Sequence, residues 1–121
     1  MTRTEVRLPE NHRSAAMARE FTRRTLTAWG HAGWQDAAQV VSELVSNVLL
    51  HAHGRPVLRL SEVAEGVRVE VSDDSPQPPT VRLGGPGGLG MQLVERMSTA
   101  WGVARRGRGK VVWCELPVAQ P

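Results

Sequence analysis

The chain has few cysteines and few aromatics. It holds one cysteine, Cys114, one phenylalanine and no tyrosine, and it contains no CxxC pair. A lone thiol excludes an internal disulfide, and the missing pairs remove the common thiolate motifs for zinc and redox chemistry. Cys114 falls in a predicted strand, where a small buried apolar residue is expected rather than a reactive thiol. Four tryptophans are the only other aromatics, so the core is expected to be mostly Val, Leu and Ala. Long hydrophobic runs are missing too. No stretch nears the ~20 apolar residues that span a bilayer, and no apolar signal-type segment follows the charged N-terminus. The expectation is a cytoplasmic protein with no membrane contact. A strong excess of one charge is also absent, since the net charge is only +3. The basic residues are dispersed except in Arg105-Arg106-Gly107-Arg108-Gly109-Lys110. That run reads first as a solvated hairpin turn. It has no interleaved aromatics, so direct nucleic-acid binding is not expected, and contact with an acidic protein partner is the other reading.

With 121 residues, the chain has room for one domain and one core. Residues 4–8 alternate and predict a short strand. Asn11 is a possible cap for an amphipathic helix over 12–29 that carries a basic face. Gly30-His31-Ala32-Gly33 breaks it, and a second helix runs from about 34 to 52. Alternation predicts strands over 57–63 and 67–71, joined by a turn at Glu65-Gly66. Residues 74–88 hold four prolines, four glycines and Ser75, which predicts a functional loop. A third helix follows from about 89 to 99. A last hairpin pairs 103–104 with 111–116, and 118–121 form a frayed tail. The order β-α-α-β-β-loop-α-β-β predicts an α+β two-layer sandwich with helices on one face of a mixed, mostly antiparallel sheet.

Three segments can carry chemistry. The first is Glu43-Leu44-Val45-Ser46-Asn47-Val48-Leu49-Leu50-His51. Positions four apart on a helix lie nearly above one another, so Glu43, Asn47 and His51 form one polar stripe. Apolar neighbours surround it, and burying such groups unpaired costs about 1–3 kcal/mol each. A ligand, a metal or a satisfied core pair would answer that cost. The second segment is Val69-Glu70-Val71-Ser72-Asp73-Asp74-Ser75-Pro76, a strand ending in acidic residues. The third, Gly84-Gly85-Pro86-Gly87-Gly88-Leu89-Gly90-Met91, runs glycines into a helix start, where free N–H groups and the helix dipole favour an anion. A glycine-rich loop without a ligand would read the same way. His51 and His53 fall on different helix faces, which argues against a shared metal. His51 is read as a structural residue closing the helix.

In this order the segments resemble the GHKL ATPase superfamily and its Bergerat nucleotide-binding fold, from Val6 to Leu116. ELVSNVLLHA is similar to its N-box, VSDDSP to its G1 box and GGPGGLGMQLVERM to its G2 box. WGVARRGRGKVVWCELP resembles the closing hairpin. Within the superfamily the chain looks most like small anti-sigma-factor serine kinases of the RsbW/SpoIIAB type. The resemblance implies ATP and Mg²⁺ as cofactors. It implies Asn47 as the Mg²⁺ ligand at the phosphates, Glu43 as general base and Asp73 as acceptor for the adenine amino group. Gly87, Gly88, Leu89 and Gly90 would form the phosphate-binding segment, with the glycines at the phosphates and Leu89 and Met91 packing. Residues 74–86 would be the lid. The implied partners are a sigma factor and a STAS-domain antagonist that accepts phosphate on serine or threonine, and a homodimer is compatible with them. A partner-sequestering module with little or no kinase activity is the alternative. The chain departs from the family pattern at three places. Ser75 stands where a glycine is usual. Pro86-Gly87-Gly88-Leu89 stands where Gly-X-Gly-Leu is common. Lys110 and Val111 stand where the last hairpin often has a threonine near the adenine.

Overall fold

In a computed structural model of the chain, residues 2–51, 54–73 and 88–117 are described. The elements are β1 (Arg3–Arg7), α1 (Ser14–Ala28), α2 (Trp34–His51), β2 (Val57–Val63), β3 (Gly66–Asp73), α3 (Gly88–Met97), β4 (Ala100–Arg106) and β5 (Gly109–Leu116). The five strands form one sheet in the order β1-β2-β3-β5-β4. All four pairings are antiparallel. The result is the expected two-layer α+β sandwich.

Strand alternation assigns the two faces of the sheet. Val67, Val69 and Val71 of β3 are fully buried, and their register partners include Leu58, Leu60, Cys114 and Leu116, buried as well. The helices close over this face. Val40, Val41, Leu44, Val45 and Val48 of α2 join the same hydrophobic cluster, with Leu26 of α1 and Val94 of α3. Burying each such side chain contributes ~1.5–3 kcal/mol relative to exposure. The other face carries charge, with Glu5, Arg59, Glu70, Arg68 and Glu115 linked by ion pairs.

Helix ends follow local chemistry. Asn11 Oδ1 accepts the Arg13 N–H at 2.9 Å, so it caps a turn just ahead of α1 rather than the helix itself. At the far end Gly30 takes φ +83, and Gly30 and His31 donate to the Thr27 and Leu26 carbonyls at 3.0 and 2.9 Å. That is a Schellman stop, which requires a left-handed residue and therefore favours glycine. His31 is then buried, and its Nε2 lies 3.2 Å from Glu62 Oε2 on β2. Hydrogen bonds from the Thr2 hydroxyl and then from His31 hold the Glu62 carboxyl below its usual range.

Several boundaries differ from the sequence reading. The β2–β3 turn falls at Ala64-Glu65, and Gly66 is the first residue of β3. A Cβ at Gly66 would lie 1.9 Å from the Leu116 carbonyl oxygen, so this glycine serves strand contact rather than the turn. β4 spans Ala100–Arg106, well beyond the expected pair of residues, and β3 runs on to Asp73. α3 stops at Met97, because the Thr99 N–H is taken by the Glu115 carbonyl at 2.9 Å.

Candidate functional site

The polar stripe lies on α2, as its spacing required. Ala37, Val40, Val41, Leu44, Val45 and Val48 are buried and form the core edge of the helix, while Glu43 and Asn47 are half-buried beside it. Arg19 of α1 donates to the Ser42 hydroxyl at 2.8 Å, so one flank of α2 is committed to α1. Each residue turns a helix by about 100°, which puts Glu43 and Asn47 on the flank away from that contact. Besides α1, α2 packs against β3 and α3. His51 is the last residue of α2.

Asp73 is the last residue of β3 and lies on the helix-covered face with Val69 and Val71. Its register partner across the sheet is Lys110 of β5. Lys110 Nζ sits 3.2 Å from Asp73 Oδ1 and 3.0 Å from Oδ2. The Asp73 side chain is 1% exposed and that of Lys110 12%, so this is a buried ion pair. An acid at a strand end is often a solvated turn residue, and the burial of Asp73 excludes that here. Sequence reasoning placed Lys110 in the last hairpin but did not pair it with Asp73. Only the adjacency of β3 and β5 brings the two together.

Gly88, Leu89 and Gly90 form the first turn of α3. Met91 is buried, as expected of a packing residue. Gly87 and the expected lid, residues 74–86, lie outside the described residues, as do His53 and the tail 118–121. In the last hairpin, Gly107 and Arg108 form the two-residue turn, with φ +59 at Gly107. Arg105, Arg106 and Arg108 are exposed, as expected for a solvated turn, and Arg106 reaches Glu70 at 3.5 Å. Cys114 is buried, and burial pushes its thiol up to about 11.

The donor chemistry suits a magnesium nucleotide. Asn47 offers a hard amide oxygen of the kind Mg²⁺ accepts, and the one-turn offset to Glu43 leaves the carboxylate beside it. A family model described as "Histidine kinase-like ATPase domain" matches residues 8–116. The chain belongs to this family. A search of curated protein sequences returns no match. Among solved structures, the ATPase domain is similar to a crystal structure of the RsbU and RsbW domains of Rv1364c from Mycobacterium tuberculosis. The TM-score is 0.76 at 16% identity, and the alignment covers 100% of this chain and 34% of that one. The domain therefore spans about a third of the length of that relative, and the likeness bears on the fold. Among the described residues no helix is long and apolar enough to cross a membrane.

Proposed function

We propose that the domain binds ATP with Mg²⁺ and acts as an anti-sigma factor with serine/threonine kinase activity. Its protein substrate would be an antagonist of the STAS-domain kind. The observation that carries the reading is the pair Glu43 and Asn47, one turn apart and half-buried on α2. Similarity to a structure containing an RsbW domain supports the partner-switching part of it.

Each residue then has a distinct task. Asn47 would hold Mg²⁺ through its amide oxygen, and the metal would supply neutralisation of phosphate charge. Glu43 accepts the proton of the incoming serine or threonine hydroxyl. Phosphoryl transfer depends mainly on positioning and charge stabilisation, so a half-buried carboxylate held by a helix is a suitable base. Asp73 reads the base edge from the end of β3. Gly87, Gly88, Leu89 and Gly90 supply the phosphate-facing segment, and the N-terminal turn of α3 adds N–H groups and dipole. Residues 74–86 act as lid. A sigma factor binds in the alternate state of the switch, in a cytoplasmic monomer or homodimer.

Calorimetry with ATP and ADP tests the site. Micromolar binding, about −8 kcal/mol, is expected, with a clear loss on Asn47→Ala or without Mg²⁺. Absence of binding to folded protein would remove the reading. Labelled ATP with a STAS-domain protein tests the reaction, and transfer that survives Glu43→Ala unchanged would sink the proposed base. The second reading is a partner-sequestering module with little or no kinase activity. The Asp73–Lys110 pair favours it, because it engages the carboxylate assigned to the adenine. Nucleotide-dependent partner binding without phosphate transfer would decide for this second reading.

A further inference from the structure

Resting on the nucleotide-site reading above, we propose that Lys110 is a specificity-determining residue. It converts the base-reading position at Asp73 from a hydrogen-bond acceptor into a donor. The pocket then admits 6-oxopurine nucleotides, such as inosine or guanosine triphosphate, at least as readily as ATP.

The register fixes the arrangement. Asp73 and Lys110 are direct cross-strand partners on the helix-covered face. Such partners have neighbouring Cβ atoms, so strand pairing sets the Lys110 stem beside Asp73. Lys110 Nζ lies within 3.2 Å of both carboxylate oxygens. An ionised carboxylate alone is acceptor-only and complements an exocyclic amino group. An ammonium carries three N–H donors and no acceptor. One of them bonds Asp73 Oδ1 at 3.2 Å, the ammonium lies 3.0 Å from Oδ2 as an ion-pair contact, and N–H groups remain for a further acceptor. A base approaching Asp73 therefore meets a cationic donor clamped on the acid.

The two purine classes differ at this point. The 6-amino group of adenine offers N–H donors and opposes the ammonium. The 6-oxo group of hypoxanthine or guanine is an acceptor and matches it. Displacing Lys110 would leave a nearly water-free carboxylate and its cation apart, which the low exposure of both side chains penalises. ATP still binds through its phosphates, but its base no longer gains an advantage. Sites that hydrogen-bond a polar substituent discriminate strongly against a mismatched one, so the effect is large enough to measure.

Inosine triphosphate is the sharpest probe, because it differs from ATP only at the 6-position and the adjoining N1 proton. Calorimetry on the whole chain would compare Mg-ATP with Mg-ITP for wild type and Lys110→Thr. The expected result is wild-type affinity for ITP equal to or above that for ATP. Lys110→Thr should shift the ratio toward ATP by about tenfold or more. Tighter ATP than ITP binding in wild type, or a ratio unchanged by Lys110→Thr, overturns the proposal and leaves the nucleotide site standing. No binding of either nucleotide to folded wild type and folded variant overturns the site reading and this proposal with it. Circular dichroism reports whether Lys110→Thr folds. If it does not, the wild-type ratio alone decides.

Discussion

The two faces of β3 hold acid and base in opposite circumstances. On the helix side, Asp73 is held by Lys110, and both side chains are almost out of water. On the open side, Glu70 reaches Arg59, Arg68 and Arg106 at 3.5, 2.9 and 3.5 Å. Those arginines have other partners: Arg59 bonds Glu5 at 2.8 Å and Arg68 bonds Glu115 at 2.9 Å. The open network is redundant and screened by water, so each contact contributes little. The covered pair has no solvent to take over if one member is lost. The same residue types therefore form a water-exposed network on one face and a nearly water-free pair on the other.

The largest expected effect breaks the covered pair. Lys110→Met keeps most of the side-chain length and removes the charge, leaving the Asp73 carboxyl at the core edge without the Lys110 ammonium. A loss of about 3 kcal/mol is expected, the low end for an opened buried pair because Lys110 retains some exposure. Adding Asp73→Asn should recover most of that loss, since a neutral amide tolerates the site. Urea unfolding of the two single variants and the double variant measures the coupling. Additive losses would show that the pair does not act as a unit.

Cys114 shows what the covered face does to an ionisable group with apolar neighbours. Its register partners are Val69 and Trp101, and its thiol is raised from 9.0 to about 11, chiefly by burial. The fold favours the neutral thiol, so its contribution is complete below pH 9. It is lost as pH rises from there through the folded value. Two pKa units correspond to about 2.7 kcal/mol. Between pH 9 and 11 the wild type should thus lose about 2–3 kcal/mol more stability than Cys114→Ala. A parallel decline in the two proteins would contradict the burial argument.

A smaller effect is expected on the open face at Gly102. A Cβ there would lie 3.0 Å from the Trp113 indole, over which Arg68 stacks at 4.2 Å. The indole can tilt outward into solvent, so Gly102→Ala should cost about 1 kcal/mol. A red-shifted tryptophan emission would accompany it. A cost like that of Lys110→Met would mean that the open face is as rigid as the covered one.

The contrast between the faces also explains what could be read in the sequence. Strand β2 and the three helices were legible because periodicity is a local signal, and the Glu43/Asn47 stripe came from the same 3.6-residue repeat. β4 was under-read because Ala100 and Gly102 carry no strand signature of their own. Their strand character comes from pairing with Glu115 and Trp113. Gly66 was taken for a turn residue because its need for space comes from Leu116, fifty residues on. The Asp73–Lys110 pair was out of reach for a similar reason. It depends on β5 inserting between β3 and β4, a non-local pairing that no window of sequence displays.

The smallest effect is expected where the charges are most numerous. Glu70→Gln removes a carboxylate shared by three arginines, yet Glu5 and Glu115 remain to hold two of them. Below ~1 kcal/mol should be lost at low salt. Part of that loss should vanish as the Debye length shrinks from about 10 Å at 0.1 M to about 3 Å at 1 M. The Lys110→Met loss should persist in the same salt series, because a pair out of water is screened much less. Measuring both variants at the two ionic strengths places each face by its response. If Glu70→Gln proves as costly and as salt-insensitive as Lys110→Met, the outer network is a structural unit, and the distinction between the faces rests on shape rather than solvent.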